Sequence, residues 1–176
     1  MLWLDSDFLI FKPEQFELPR KQAGALGYAL GREVWVQEKA GGGLKAYKKV
    51  HNAALYFRKS NAFADFYIAH AMQLLSALTG NVPAQFIGPK LMTALHNVVG
   101  CPVMERAAMF SPLVVEDVVR GQGAALALMR QKSACAPSGA NLCSSMVASG
   151  QLNHSTMQAA VECLSGEGLD FSSTHA

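Results

Sequence analysis

Two aspartates near the amino end carry the most chemical content in this sequence. Asp5 and Asp7 stand two residues apart in MLWLDSDFLIFKP, between the apolar runs Met1–Leu4 and Phe8–Phe11. Side chains alternate along a strand, so residues two apart point the same way, and a tight turn brings them nearly as close. Two carboxylates converging at the tip of an apolar strand repel each other and resist burial. A divalent cation removes both costs. Mg²⁺ or Mn²⁺ binds through one or two carboxylates and leaves its other positions to water and phosphate. There it neutralises a diphosphate leaving group as a Lewis acid. The plain alternative is an Asp-Ser-Asp turn joining two strands.

The elements that position this pair are readable in outline. Residues 1–4 and 8–11 predict β-strands. Residues 13–31, mixed in Pro, Gly and charge, predict a loop with a short helix. Glu33-Val34-Trp35-Val36 alternates as a strand does, Ala40–Gly43 is a flexible loop, and Ala53–Phe57 is a buried strand. The strongest helix covers 62–78, with Ser60 or Asn61 as its cap and Asp65 in its first turn. Its apolar face is Phe63, Phe66, Tyr67, Leu74, Leu75 and Leu78, and Gly80 ends it. A second helix fits 89–99, opened by Pro89 and followed by Gly100. A third covers 114–131, weakened by Gly121 and Gly123. A fourth, 156–164, follows the capping pattern Ser155-x-x-Gln158. From 132 the composition turns to Ser, Ala, Gly, Cys and Asn. The expected organisation is therefore a folded portion over 1–131 and a loosely packed tail with one short helix over 132–176.

Composition bounds the rest. With 176 residues, 51% hydrophobic and 16% charged, the chain is long and apolar enough to bury a core. A net charge of +2 and the lack of a basic stripe with interleaved aromatics argue against nucleic acid. Lys45, Lys48 and Lys49 read as a solvated loop face. No apolar run is long enough to span a membrane, and the amino end lacks the basic region of a signal peptide. Cys101, Cys135, Cys143 and Cys163 form no CxxC pair. A Cys135–Cys143 loop disulfide and four unlinked thiols both remain open. His51, His70 and His96 stand at no ligand spacing.

WLDSDFLIFKP resembles the YLD-x-D-hydrophobic-KP segment of glycosyltransferases with a sugar-binding region containing the DXD motif. Those families include the initiating mannosyltransferases and the α-1,4-galactosyl- and N-acetylglucosaminyltransferases. HNAALYFRKSNAFADFYIAHAMQ resembles their N-G-A strand and following helix. FIGPKLMTALHNVVGC resembles their GP-x-L-x-T helix start, and AAMFSPLVVEDV their F-x-P segment. The order holds over roughly residues 1–118.

The resemblance implies an α/β fold, part of a GT-A-like, Rossmann-related domain with a small mixed sheet flanked by helices. It implies metal-assisted, retaining transfer of a sugar from a UDP- or GDP-sugar donor to a hydroxyl on a glycan, glycolipid or glycoprotein. It assigns Asp7 as the direct Mn²⁺ or Mg²⁺ ligand, with Asp5 beside it on the ribose and sugar. Asn52, Gln85, Gly88, Pro89 and Thr93 are implied at the sugar cleft, and no catalytic base is implied. The compartment depends on the source: the Golgi lumen in a eukaryote, the cytoplasm in a bacterium. The sequence also departs from the family. The nucleotide-binding βα half expected before the DXD strand has no counterpart, since Met1 lies four residues before Asp5. The late H-x-W-N segment, expected near 127–130, is replaced by Ala127-Leu128-Met129-Arg130. Both departures leave open a second class: an inactive family member that binds a sugar or a protein.

Overall fold

The computed structural model describes residues 1–82, 85–166 and 171. They form a mixed α/β structure. In chain order the elements are β1 (Leu2–Leu4), β2 (Phe8–Ile10), α1 (Arg20–Ala23), β3 (Tyr28–Glu38), β4 (Leu44–Phe57), α2 (Ala62–Ala77), α3 (Leu91–Val99), β5 (Val103–Met104), β6 (Ala107–Met109), α4 (Pro112–Arg120), α5 (Ala124–Lys132), β7 (Gly139–Asn141), α6 (Ser145–Ala148) and α7 (His154–Ser165). One sheet has the order β1-β4-β3-β5 and the other β2-β7-β6, and each mixes parallel with antiparallel pairs.

β1 and β2 therefore belong to different sheets, although only Asp5-Ser6-Asp7 separates them. The turn between them is where the chain crosses from one sheet to the other. It is pinned on both sides: Asp5 N–H donates to the Ala53 carbonyl at 2.9 Å, and the Asp7 carbonyl accepts from Leu142 N–H at 3.1 Å.

The β3–β4 hairpin is the longest pairing in the molecule. It turns at Lys39–Gly43, where Lys39 N–H donates to Gly43 O and Gly42 N–H to Lys39 O, both at 3.0 Å. Both strands begin earlier than the sequence pattern indicates: Tyr28–Arg32 open β3 as a buried run, and the early part of β4 carries Lys45, Lys48 and Lys49. A register shift at Leu30/Gly31 makes room for His51. A Cβ on Gly31 would lie 2.3 Å from the His51 ring. That imidazole is fully buried; Ala53 N–H donates to its Nδ1 at 3.1 Å, so Nε2 carries the proton and donates to Ala107 O at 3.0 Å. The ring thus ties the first sheet to β6.

The helices follow their local chemistry. Asn61 caps α2 by accepting from Ala64 N–H at 3.3 Å. Phe63 and Tyr67 pack inward, but Phe66, Leu75 and Leu78 of the expected apolar face are exposed, and Ala71 is the buried residue of the helix. The expected third helix is two helices. Gly121, at φ 74°, ends α4 in the left-handed region that glycine tolerates. The α5 N-terminus is capped by buried Asp117 of α4, whose Oδ2 accepts from Ala125 N–H at 2.8 Å and Leu126 N–H at 3.1 Å. A carboxylate there satisfies free amides and complements the helix dipole. The last helix, α7, is capped by Asn153, which accepts from Thr156 N–H at 2.7 Å, and not by Ser155.

The segment from 132 is not a loose tail with one short helix. Among the described residues it supplies β7, α6 and α7, and β7 is the middle strand of its sheet. Ala140, Leu142, Met146, Leu152, Ala160, Leu164 and Phe171 share the largest core cluster with Val34, Val36, Phe110, Val114 and Leu126. Gly139 is there because space is short: a Cβ on it would lie 2.7 Å from the Phe8 ring.

Burial drives the His51 pKa down to about 4 from its ordinary 6.5, against the raising effect of its bond to Ala107. The neutral ring's contribution to stability is fully present above pH 6.5. It is lost as the pH falls toward 4, by on the order of 3 kcal/mol. An NMR titration of the imidazoles is expected to show His51 neutral through pH 5. A His51 midpoint near 6.5 contradicts the buried, double hydrogen-bonded placement.

Candidate functional site

The crossing between the sheets opens into a cleft of about 690 Å³. Asp5 and Asp7 enter it from the β1–β2 turn, Asn52 from β4, and Gln85, Gly88 and Pro89 from the turn ahead of α3. Six of the seven residues singled out from the sequence thus line one hollow. Thr93 is the exception. Its hydroxyl donates to Val50 O at 3.2 Å and accepts from Val50 N–H at 3.4 Å, so it fastens α3 to β4.

Backbone geometry fixes the wall opposite the aspartates. Gln85 has φ 62°, the left-handed region that costs a non-glycine residue about 1 kcal/mol. Gly88 has φ −90° and ψ −115°, outside helical values, and its missing side chain lets the turn close on Asn52. A Cβ there would stand 3.3 Å from Asn52 Nδ2. The Tyr67 hydroxyl donates to the Ile87 carbonyl and anchors this turn to α2.

The far wall comes from β7, the chain just after it and α6. Asn141 Nδ2 donates to Asp7 Oδ1 at 2.6 Å, and Ser144 N–H donates to Asp7 Oδ2 at 2.8 Å. The Asn141 amide is oriented by Cys143 N–H, which donates to its Oδ1 at 2.8 Å. On the other aspartate, the Trp3 indole donates to Oδ1 of Asp5 at 2.8 Å. Partial burial pushes the Asp7 carboxyl up, but the hydrogen bonds from Ser144 and Asn141 outweigh it and hold the group below the usual 3.8. Asp7 is therefore ionised at neutral pH.

The floor is the β3–β4 hairpin. Glu33, Trp35 and Lys49 line it, with Lys49 Nζ 3.6 Å from Glu33 Oε1. Burial raises the Glu33 pKa, and Lys49 only partly offsets this. Burial, followed by the charges of Asp7, Glu33 and Asp5, pushes the Cys143 thiol up to about 12. Cys143 is thus a protonated, inert thiol, and its position registers negative charge gathered in the cleft. All four cysteines are free.

Among the described residues no three His, Cys, Asp or Glu side chains converge as a metal-binding group. What the cleft offers is three carboxylates, Asp5, Asp7 and the Lys49-paired Glu33. That donor set suits a hard cation that keeps water and phosphate, as Mg²⁺ or Mn²⁺ does, and does not suit a closed cage of nitrogen and sulfur.

Asn141, Ser144, Glu33, Trp35 and Lys49 were not singled out from the sequence. Period-two alternation in Glu33-x-Trp35 and Lys45-x-Tyr47-x-Lys49 marks one strand face and reveals the last three. Asn141 and Ser144 carry no such signal, because the contact that recruits them spans more than 130 residues. No protein-family model matches the chain, and neither a curated protein nor a solved structure matches it. No helix among the described residues is long and apolar enough to cross a membrane.

The Asp7 contribution is present above pH 3.8 and is lost as the pH falls through its lower folded value. Asp7→Asn turns an amide N–H₂ toward donors and is expected to destabilise the fold by about 1–2 kcal/mol at pH 7. In urea unfolding the gap between wild type and variant is expected to narrow at pH 3. An equal gap at both values contradicts the ionised clamp.

Proposed function

We propose that the cleft binds a nucleotide sugar and transfers its sugar to a hydroxyl acceptor, and that the fold is a GT-A-like, Rossmann-related variant. The observation that carries this reading is the meeting of Asp5, Asp7, Asn52, Gln85, Gly88 and Pro89 in one hollow, from three separated stretches of chain. The resemblance of those stretches to DXD transferases supports it independently of the geometry.

Each residue has a task on this reading. Asp5 and Asp7 hold Mn²⁺ or Mg²⁺, which when bound offsets the charge of the departing diphosphate. Asn141 and Ser144 keep the Asp7 carboxylate ionised and aimed. They lie 14 positions beyond 127–130, where the family's H-x-W-N segment was expected and is replaced. The amides of Asn52 and Gln85 offer paired donors and acceptors for sugar hydroxyls. Gly88 gives the sugar close access to backbone. The chain's own contribution is to fix these groups before the donor arrives, since positioning lowers the barrier without new covalent chemistry.

A second reading, a sugar-binding module without turnover, is favoured by one fact: both Asp7 oxygens already accept a protein hydrogen bond. One experiment separates the two. On the transferase reading, Mn²⁺ plus UDP or GDP at saturating concentration raises the melting temperature by about 5 °C or more. Asp5→Asn removes that rise while leaving the unliganded melting temperature nearly unchanged. No rise with either nucleotide, or the same rise in the variant, contradicts the transferase reading.

A further inference from the structure

The β3–β4 hairpin carries a feature that donor binding leaves unused. In its register Glu33 lies opposite Lys49, Trp35 opposite Tyr47, and Gln37 opposite Lys45. Directly opposed residues share a face, as do residues two apart. These six side chains therefore form three rungs on one side of the hairpin, while Val34 and Val36 point into the core on the other. Glu33, Trp35 and Lys49 line the cleft, and Gln37 and Lys45 are exposed. The ladder thus leads from the cleft floor to open surface, about 13 Å at the rise of a strand.

Its chemistry is specific. Trp35 and Tyr47 are half-buried rings side by side. Lys45 Nζ lies 4.5 Å from the Tyr47 ring centroid and Lys49 Nζ lies 5.6 Å from it. Two ammonium groups are thereby held over one ring instead of ranging through solvent. Glu33 pairs with Lys49, while Lys45 has no carboxylate partner among the described residues. The three lysines lie on β4 and not in a loop; Lys45 and Lys48 are exposed as a solvated face requires, and Lys49 is half-buried. Flat rings flanked by amide, carboxylate and ammonium groups match a sugar chain, which presents C–H faces and a hydroxyl rim.

Charge orients that chain. Asp5, Asp7 and Glu33 repel anions from the deep end, where Lys49 is already paired with Glu33, and Lys45 attracts them at the outer end. We propose that the Trp35–Tyr47 ladder is the acceptor subsite and takes an anionic oligosaccharide. Its neutral end enters the cleft, and its acidic group lies against Lys45. This rests on the transferase reading for the word acceptor, but the binding itself is tested without nucleotide or metal.

The two indole N–H signals in a ¹⁵N–¹H NMR spectrum provide the assay, the Trp35 signal reporting on the ladder and the Trp3 signal, through its bond to Asp5, on the cleft. Sialyllactose, one acidic sugar joined to two neutral ones, is titrated against the full chain, and neutral lactose is its comparison. The expected result is a saturable shift of the Trp35 signal with sialyllactose and little with lactose. Lys45→Glu, an exposed change outside the cleft, is expected to weaken binding about tenfold. No Trp35 shift, an equal response to the neutral sugar, or unchanged affinity in Lys45→Glu overturns the proposal. Binding here with no thermal response to Mn²⁺ and nucleotide leaves the ladder and removes the donor site. The reverse pattern removes the ladder alone.

Discussion

The structure depends on one carboxylate. Asp7 sits where the chain leaves the first sheet for the second, and its two oxygens are held by residues from the far end of the sequence. Beside that clamp, the backbone bond from Leu142 N–H to the Asp7 carbonyl also fastens the β1–β2 turn to the chain after β7, so this wall of the cleft is held by side chain and backbone together. The clamp is strong for a physical reason: an ionised acceptor receives two donors, one of them a backbone amide fixed by the start of α6. Part of the turn's rigidity also comes from Asp5, whose backbone is bonded to β4 and whose carboxylate is bonded to Trp3.

Electrostatics then divide the cleft. Negative charge is concentrated at the crossing, where burial first, and then the charges of Asp7, Glu33 and Asp5, suppress ionisation of the Cys143 thiol. Positive charge lies along the hairpin, held in place by Tyr47. A bound molecule meets a cation-seeking end and an anion-seeking end along one path. The transferase proposal uses the first and the acceptor proposal the second.

Much of this was legible in the sequence, and the reasons differ by element. The strands flanking Asp5 and Asp7, the Asn61 cap and the Gly100 end of α3 follow from local rules, and their residue types sufficed, while Pro89 lies in the turn two residues ahead of α3. The acidic pair was legible from spacing and flanks. The 132–176 segment was misread because small residues look like loose packing when counted alone. Gly139 and Ala140 are small since they pass between Phe8 and the neighbouring strands, a constraint set by residues far away in sequence. The α2 face was misread for a related cause. Its sequence is apolar nearly all round, so periodicity does not choose the buried side. Thr93 lay on the correct helix, but its hydroxyl serves the backbone of β4 and not the cleft.

The central claim is that Asp7 and Asn141 act as a pair across the chain. A double-mutant cycle tests it most directly, with Asp7→Asn, Asn141→Ala and the combined variant compared by urea unfolding at pH 7. The account predicts a coupling of about 1 kcal/mol or more, with the double variant less destabilised than the sum of the singles. Additive effects within about 0.3 kcal/mol would mean that the two side chains do not hold each other, and that the cleft is closed by something else.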